Sequence, residues 1–185
     1  MKEISKTKER IIKVAMELFY KNGYSETGIN EILEKSSSFK KSLYTHFASK
    51  TELGITYIRW IENDLLEMSQ KVMIKYPKFE DFVRSWIRII KNRTLRNFSN
   101  GCPLANMSQN TPEIQKEVKC VFQNLKEPFI NYFMTNYKIS RSRSAEISEE
   151  ILFLYEGAVT SFKLDSNKRY FEYLEKHLNY ISREL

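Results

Sequence analysis

Glycine and proline are scarce in this chain, five and four among 185 residues. Long loops and repeated hairpins are therefore not expected, and the few breakers read as punctuation between helices. Cysteine is scarcer still. Cys102 and Cys120 stand without the neighbouring Cys or His that a zinc cluster needs, and two thiols are too few for a disulfide framework. A reducing, cytoplasmic location is the default expectation. Histidine occurs twice, as His46 and His177. No glycine-rich phosphate loop, paired-carboxylate motif or metal-ligand pattern accompanies them. The chain is therefore expected to need no cofactor and no metal, and not to be an enzyme. Long apolar runs are missing too. Nothing approaches the roughly 18–20 residues of a membrane span, and Met1 to Ser5 lead into no apolar stretch. Neither a membrane partner nor a signal peptide is expected.

What is present is enough apolar residue for a core (42%) and enough charge for a wet surface (29%). The net charge is +7, and it is unevenly spread. Residues 1–50 hold ten Lys or Arg against six Asp or Glu, whereas the other 135 hold twenty against seventeen. The first fifty are the more basic part per residue, as a phosphate-facing surface would be.

Apolar residues recur at helical spacing, and the few breakers fall between the runs. Ile11, Ile12, Ala15, Leu18 and Phe19 predict a first helix over about 6–22, closed by Gly23. Ile29, Ile32 and Leu33 mark a second, with Thr27 as its capping or pre-cap residue. Ser36-Ser37-Ser38 is a turn, and a third helix follows over about 39–47 with Leu43 and Phe47 toward the core. Ser49 and Glu52 form a capping-box pattern for a fourth, which runs to about Lys75. A fifth covers about 79–97, and a short sixth opens at Pro103 and covers about 103–110. A seventh starts at Thr111-Pro112 and runs to about Tyr137, with a kink expected near Pro128. Basic, hydroxyl-rich Ser140 to Ser144 leads into an eighth, about 142–164, and a ninth covers about 167–183. The expectation is an all-α chain with a helix-turn-helix head, 1–50, and a helical body, 51–185.

A helix, a second helix, a polar turn and a third helix bearing basic and hydroxyl residues is a way to reach a DNA major groove. The head also resembles the TetR family of bacterial transcriptional repressors. The matching residues are Arg10-Ile11-Ile12, Ala15, Leu18-Phe19, Gly23-Tyr24, Thr27, Ile29 and Ile32, then Leu43-Tyr44, His46-Phe47, Lys50 and Leu53. They cover about 45 residues, in order and with the family's spacing. The resemblance implies a nine-helix TetR-like chain whose first three helices bind DNA, a two-fold dimer and a body that takes a small effector. The chain departs from the family's pattern before the third helix, where Ser37, Ser38 and Phe39 replace a small, an apolar and a capping residue, and at Lys41, where Gly is common. Either Ser38 caps one residue early, or the turn is rebuilt around Phe39.

Lys40, Lys41, Ser42 and Thr45 lie on the early part of the third helix, whose N-terminal residues meet base edges in such heads. Lys donates to guanine O6 and N7, and Ser and Thr donate or accept. Tyr44 is expected to support the head with its ring and offer its hydroxyl to a phosphate, a role the resemblance also implies. His46 is expected to pack or contact phosphate, because no second metal ligand lies near it. Lys50 opens the fourth helix, where the helix dipole already favours a phosphate, and Thr27 is suited to the same work. Such contacts position the protein without choosing a sequence.

In the body, Trp60, Trp86, Phe98, Phe122, Phe129 and Tyr155 could line a cavity, although aromatics at helical spacing are mostly core. The expectation of an effector pocket there, for an apolar or aromatic molecule, rests on the resemblance. Cys102, in Asn100-Gly101-Cys102-Pro103, has two readings. It is a reactive thiol at a helix start beside that pocket, or a small residue filling a tight turn. The eighth and ninth helices carry more apolar surface than one edge of a small body needs. The resemblance implies that they form a homodimer interface, 142–164 and 167–183, setting two heads on a roughly palindromic operator in double-stranded DNA. The function expected is a repressor released from DNA by its effector. Two other classes stay open, a helical protein-interaction module and an enzyme built on Cys102.

Overall fold

The computed structural model describes residues 6–185, and all nine regular elements among them are α-helices. They are α1 (Lys6–Asn22), α2 (Ile29–Lys35), α3 (Lys40–His46), α4 (Lys50–Lys75) and α5 (Phe79–Arg96), then α6 (Pro103–Met107), α7 (Pro112–Tyr137), α8 (Arg141–Asp165) and α9 (Arg169–Ser182). The all-α expectation holds, and most boundaries fall within two residues of the spacing-based reading. The exception is α6, which stops at Met107 instead of about 110. Ser108 Oγ donates to the Ala105 carbonyl at 2.7 Å and Asn110 Nδ2 to the Met107 carbonyl at 2.9 Å. These side chains offer the backbone an alternative to another helical turn.

The chain forms two compact units. The first holds the described residues through Ile61 together with Pro103–Lys119, and the second holds Glu62–Cys102 and Cys120–Leu185. These limits differ from a division at residue 50. The first unit keeps the opening of α4, all of α6 and the opening of α7, because apolar residues from these segments fill the core under the head. Leu53, Leu104, Met107 and Ile114 are buried there along with Ile11, Phe19, Leu43 and Phe47. Gly54 shows how tight this packing is. A Cβ added to it would lie 2.7 Å from Tyr24 Cε2 and 2.9 Å from Ile114 Cδ1, so any side chain there forces its neighbours to shift.

The second unit is held by an aromatic cluster. Phe82 stacks on Trp86 at 5.6 Å, and Trp86 meets the rings of Phe129 and Tyr155 at 5.7 and 5.8 Å. Phe79 and Phe133 extend the cluster, with centroids 5.0 Å apart. Tyr132 anchors the α4–α5 turn, its hydroxyl 2.9 Å from the carbonyls of Tyr76 and Pro77. Pro128 lies inside α7, and the helix runs through it to Tyr137. α8 begins at Arg141 because Ser140 caps it, its hydroxyl accepting from the Arg143 N–H at 3.2 Å.

Candidate nucleic-acid interface

The candidate interface is built on α2, the Ser36–Phe39 turn and α3. α1 ends on Gly23, whose φ of +91° is the left-handed C-cap conformation expected from the sequence. α2 ends differently, with a serine in that role. The Ser37 N–H donates to the Glu34 carbonyl at 3.1 Å and the Ser38 N–H to the Leu33 carbonyl at 2.9 Å, while Ser37 has φ +48°. That is a Schellman ending with serine where glycine is favoured. Ser38 does not cap α3, since its hydroxyl donates to the Ser36 carbonyl at 3.1 Å. The N-cap is Phe39, in extended backbone and without a side-chain cap bond. Of the two openings left by the sequence, the turn is rebuilt around Phe39.

α3 is pinned from below by Leu43 and Phe47, 0% and 2% exposed. Its other side presents Lys40, Lys41, Tyr44 and Thr45 to solvent, at i, i+1, i+4 and i+5 on one face. Ser42 and His46 are half-buried at the margins. The His46 ring lies 6.5 Å from that of Phe47 and edge-on to it. Thr45 donates its hydroxyl to the Lys41 carbonyl at 2.9 Å, which leaves the oxygen free to accept. An outward face with two ammonium groups and two hydroxyls can bind phosphate oxygens and base edges.

Thr27 and Lys50, both expected at a phosphate, have hydrogen-bond partners within the chain. Thr27 is 0% exposed and its hydroxyl donates to the Gly23 carbonyl at 2.7 Å. It closes the α1–α2 turn in this conformation, and the N-cap of α2 is Gly28. Lys50 is half-buried, its Nζ donating to the Ser25 carbonyl at 3.2 Å and lying 4.5 Å above the Tyr24 ring. Burial lowers its pKa, with Glu26 acting the other way. One of its three N–H groups thus ties the start of α4 to the α1–α2 turn. Beside it, the Glu52 N–H donates to Ser49 Oγ at 3.1 Å, the first half of the expected capping box. The Glu52 carboxylate accepts from the Ala48 N–H at 2.5 Å, one residue earlier than the usual partner. Sequence pattern had no means to find Lys50's carbonyl partner, 25 residues away.

The residues expected around an effector have different surroundings among the described residues. Trp60 belongs to the first unit and is 44% exposed, whereas the other six belong to the second. Trp86, Phe129 and Tyr155 join the aromatic cluster, as most aromatics at helical spacing do. Phe98 packs against the Arg93 guanidinium at 5.1 Å. Phe122 alone of the set lines one of two described cavities, of about 330 Å³, with Lys126, Glu149, Leu152, Phe153 and Glu156. The other, an open groove of about 390 Å³, is edged by Met73, Ile74, Pro128 and Tyr132 with amide side chains from Gln70 and Asn131. Cys102 is buried and hydrogen-bonded to the Glu156 carboxyl, which burial pushes above the usual carboxylate range. A reactive thiol needs access to solvent, so the space-filling reading describes Cys102 better. Among the described residues no group of three or more His, Cys, Asp or Glu is placed to hold a metal ion, and no helix is long and apolar enough to cross a membrane.

Residues 11–54 match the family described as "Bacterial regulatory proteins, tetR family". Over 68 residues the chain is 41% identical to the HTH-type transcriptional regulator QacR of Staphylococcus aureus, a segment covering 37% of this chain and 36% of that protein. Over 163 residues it is 29% identical to the uncharacterized HTH-type transcriptional regulator YxaF of Bacillus subtilis, covering 83% of each. Among solved structures, a TetR transcriptional regulator from Legionella pneumophila shares its fold at TM-score 0.82 and 22% identity, covering 97% of this chain and 98% of the other. The TetR-family regulator SCO4454 of Streptomyces coelicolor does so at 0.83 and 17%, covering 96% and 95%. Residues 11–54 thus match the head of the TetR family of bacterial regulatory proteins, and the helical backbone is shared with TetR-family structures over nearly the whole chain.

Proposed function

We propose that the protein is a DNA-binding transcriptional regulator of the cytoplasm, acting as a repressor that a small molecule releases. Residues 1–50 bind DNA, and 51–185 bind the effector and pair two chains. The observation that carries this reading is α3. Two buried residues, Leu43 and Phe47, hold a helix whose opposite face offers Lys40, Lys41, Tyr44 and Thr45. A helix so presented reads base edges with its first turn. Lys50, and His46 at the margin, supply phosphate contacts. Thr27 contributes by setting the α1–α2 turn from within, and Ser42 by a hydroxyl at the edge of the reading face.

Dimerisation through α8 and α9 is supported by their outward residues. Phe153 and Leu164 on α8 are 74% and 81% exposed, and Tyr173 and Tyr180 on α9 are also open to solvent. Large apolar groups on the outside of two adjacent helices mark a surface to be covered. A two-fold pair would set the heads about 34–36 Å apart, one turn of DNA, on a palindromic operator. The effector is apolar or aromatic, a reading that Phe122, Leu152 and Phe153 support in a cavity whose other lining residues are Lys126, Glu149 and Glu156. A difference of about 1–3 kcal/mol in its affinity for the two head spacings would lower DNA affinity about 5–150-fold.

The test is retention on random duplex DNA, followed by selection from a random pool. DNA binding requires retention at low salt that falls steeply as salt rises, and enrichment of a two-fold symmetric site. A chain that ignores duplex DNA at every salt concentration refutes the reading.

A further inference from the structure

Phe39 breaks the pattern of its own helix. It stands four residues before Leu43 and eight before Phe47, a spacing that on a continuous helix sends all three to the core. Leu43 and Phe47 go there, but Phe39 is 82% exposed. The cause is local. The left-handed Ser37 and the two turn bonds onto Leu33 and Glu34 deliver Phe39 in extended backbone, φ −94° and ψ 151°. Its Cβ therefore leaves the inner stripe of α3.

The position is unfavourable twice over within the chain. An N-cap of Ser, Thr, Asp or Asn would accept one of the free amide N–H groups of the first turn, and a phenyl ring cannot. A large apolar ring also stays in water, the most exposed large hydrophobic residue among the described residues of the first unit. Neither feature helps the fold, and both lie at the end of α3 beside Lys40 and Lys41, which are exposed and cationic.

We propose, on the DNA-binding reading above, that Phe39 determines specificity by contacting the C5-methyl group of a thymine in the major groove. Residues at the N-terminal end of a recognition helix meet base edges. Phenylalanine is among the side chains that make apolar contact with that methyl group, and thymine alone of the four bases carries one. Lys40 and Lys41 would hold the anionic duplex against the ring. The contact chooses a base without a hydrogen bond, which suits a residue that has none to offer.

Uracil isolates this contact, because it keeps thymine's pairing and hydrogen-bonding groups and lacks only the methyl. Each thymine of the site enriched by the full-length protein is replaced in turn by uracil, and affinities are compared for the wild type, Phe39→Ala and Phe39→Ser. One position in each half-site should weaken wild-type binding about 4-fold, the transfer value of one buried methyl group. The same exchange should leave Phe39→Ala and Phe39→Ser unmoved. Both variants should hold random duplex with the wild-type salt slope, since no charge has changed, and this also shows that they are folded. Their own selections should lose the thymine. Equal uracil effects in wild type and variants, or none at any position, would overturn the proposal, including the case in which Phe39 is a wedge between base steps. Failure of the wild type to bind any duplex would instead remove the DNA-binding reading on which the proposal rests.

Discussion

Gly54→Ala should destabilise the protein, although an alanine inside a helix ordinarily does the opposite. Gly54 sits within α4, where the exchange gains about 1 kcal/mol in helix propensity. The new Cβ would meet Tyr24 Cε2 at 2.7 Å, Ile114 Cδ1 at 2.9 Å and Tyr24 Cδ2 at 3.3 Å. The Tyr24 ring has little room to withdraw, with the Phe19 ring 5.1 Å away and Lys50 Nζ 4.5 Å above it. Overpacking of this kind costs about 1–3 kcal/mol. Two contacts below 3.0 Å argue for the upper end, so the net loss is about 1–2 kcal/mol. For a chain of this length that lowers the thermal midpoint by about 2–8 °C. Ile114→Val removes the obstructing Cδ1 and should itself lose about 0.5–1.5 kcal/mol. In the double variant the two losses should fall short of their sum by about 0.5–1 kcal/mol, because one clash has been relieved. Urea unfolding of the four proteins measures this cycle. A Gly54→Ala midpoint above wild type, or strict additivity, would show that the junction yields and that the packing argument is wrong.

Four further outcomes are expected. Ser37→Gly should stabilise the chain by about 1 kcal/mol in urea unfolding, since a non-glycine residue is strained at φ +48°. Lys50→Ala should weaken binding to specific and random DNA alike and reduce the salt slope by about 1, whereas Lys40→Ala and Lys41→Ala should alter base preference in a selection. Glu156 has a folded pKa raised by burial, so the native state binds its proton more tightly than the unfolded chain. Its contribution is therefore present at pH below the ordinary carboxylate value and is lost as pH rises through the raised one. Glu156→Gln should flatten the pH dependence of the urea midpoint on the acid side and be the more stable protein, relative to wild type, at neutral pH. Phe153→Glu and Leu164→Glu should leave the fold intact, since both side chains are exposed, and shift sedimentation equilibrium from dimer to monomer.

The helices were legible because their signals are local. Ile11, Ala15, Leu18 and Phe19 repeat at helical spacing and are all buried in α1. Gly23, Pro103 and Pro112 mark ends and starts through their own backbone preferences, and each stands where expected. The exposed face of α3 follows from Leu43 and Phe47 in the same way. Which aromatics pack with one another was not legible. An aromatic residue at helical spacing is equally suited to a cavity wall and a core, and the choice depends on what stands opposite it, as Phe82 and Phe129 do for Trp86.

Periodicity and breakers along the chain determined an all-α protein with a basic helix-turn-helix head, because those properties arise between residues a few positions apart. Tertiary structure alone decided that Thr27 turns inward, that Lys50 grips the Ser25 carbonyl, and that Gly54 lies against Tyr24 and Ile114. It also decided the exposure of Phe39, since one left-handed serine redirects a side chain that spacing would bury. These outcomes depend on backbone conformation and on partners up to 60 residues distant, which no spacing rule records.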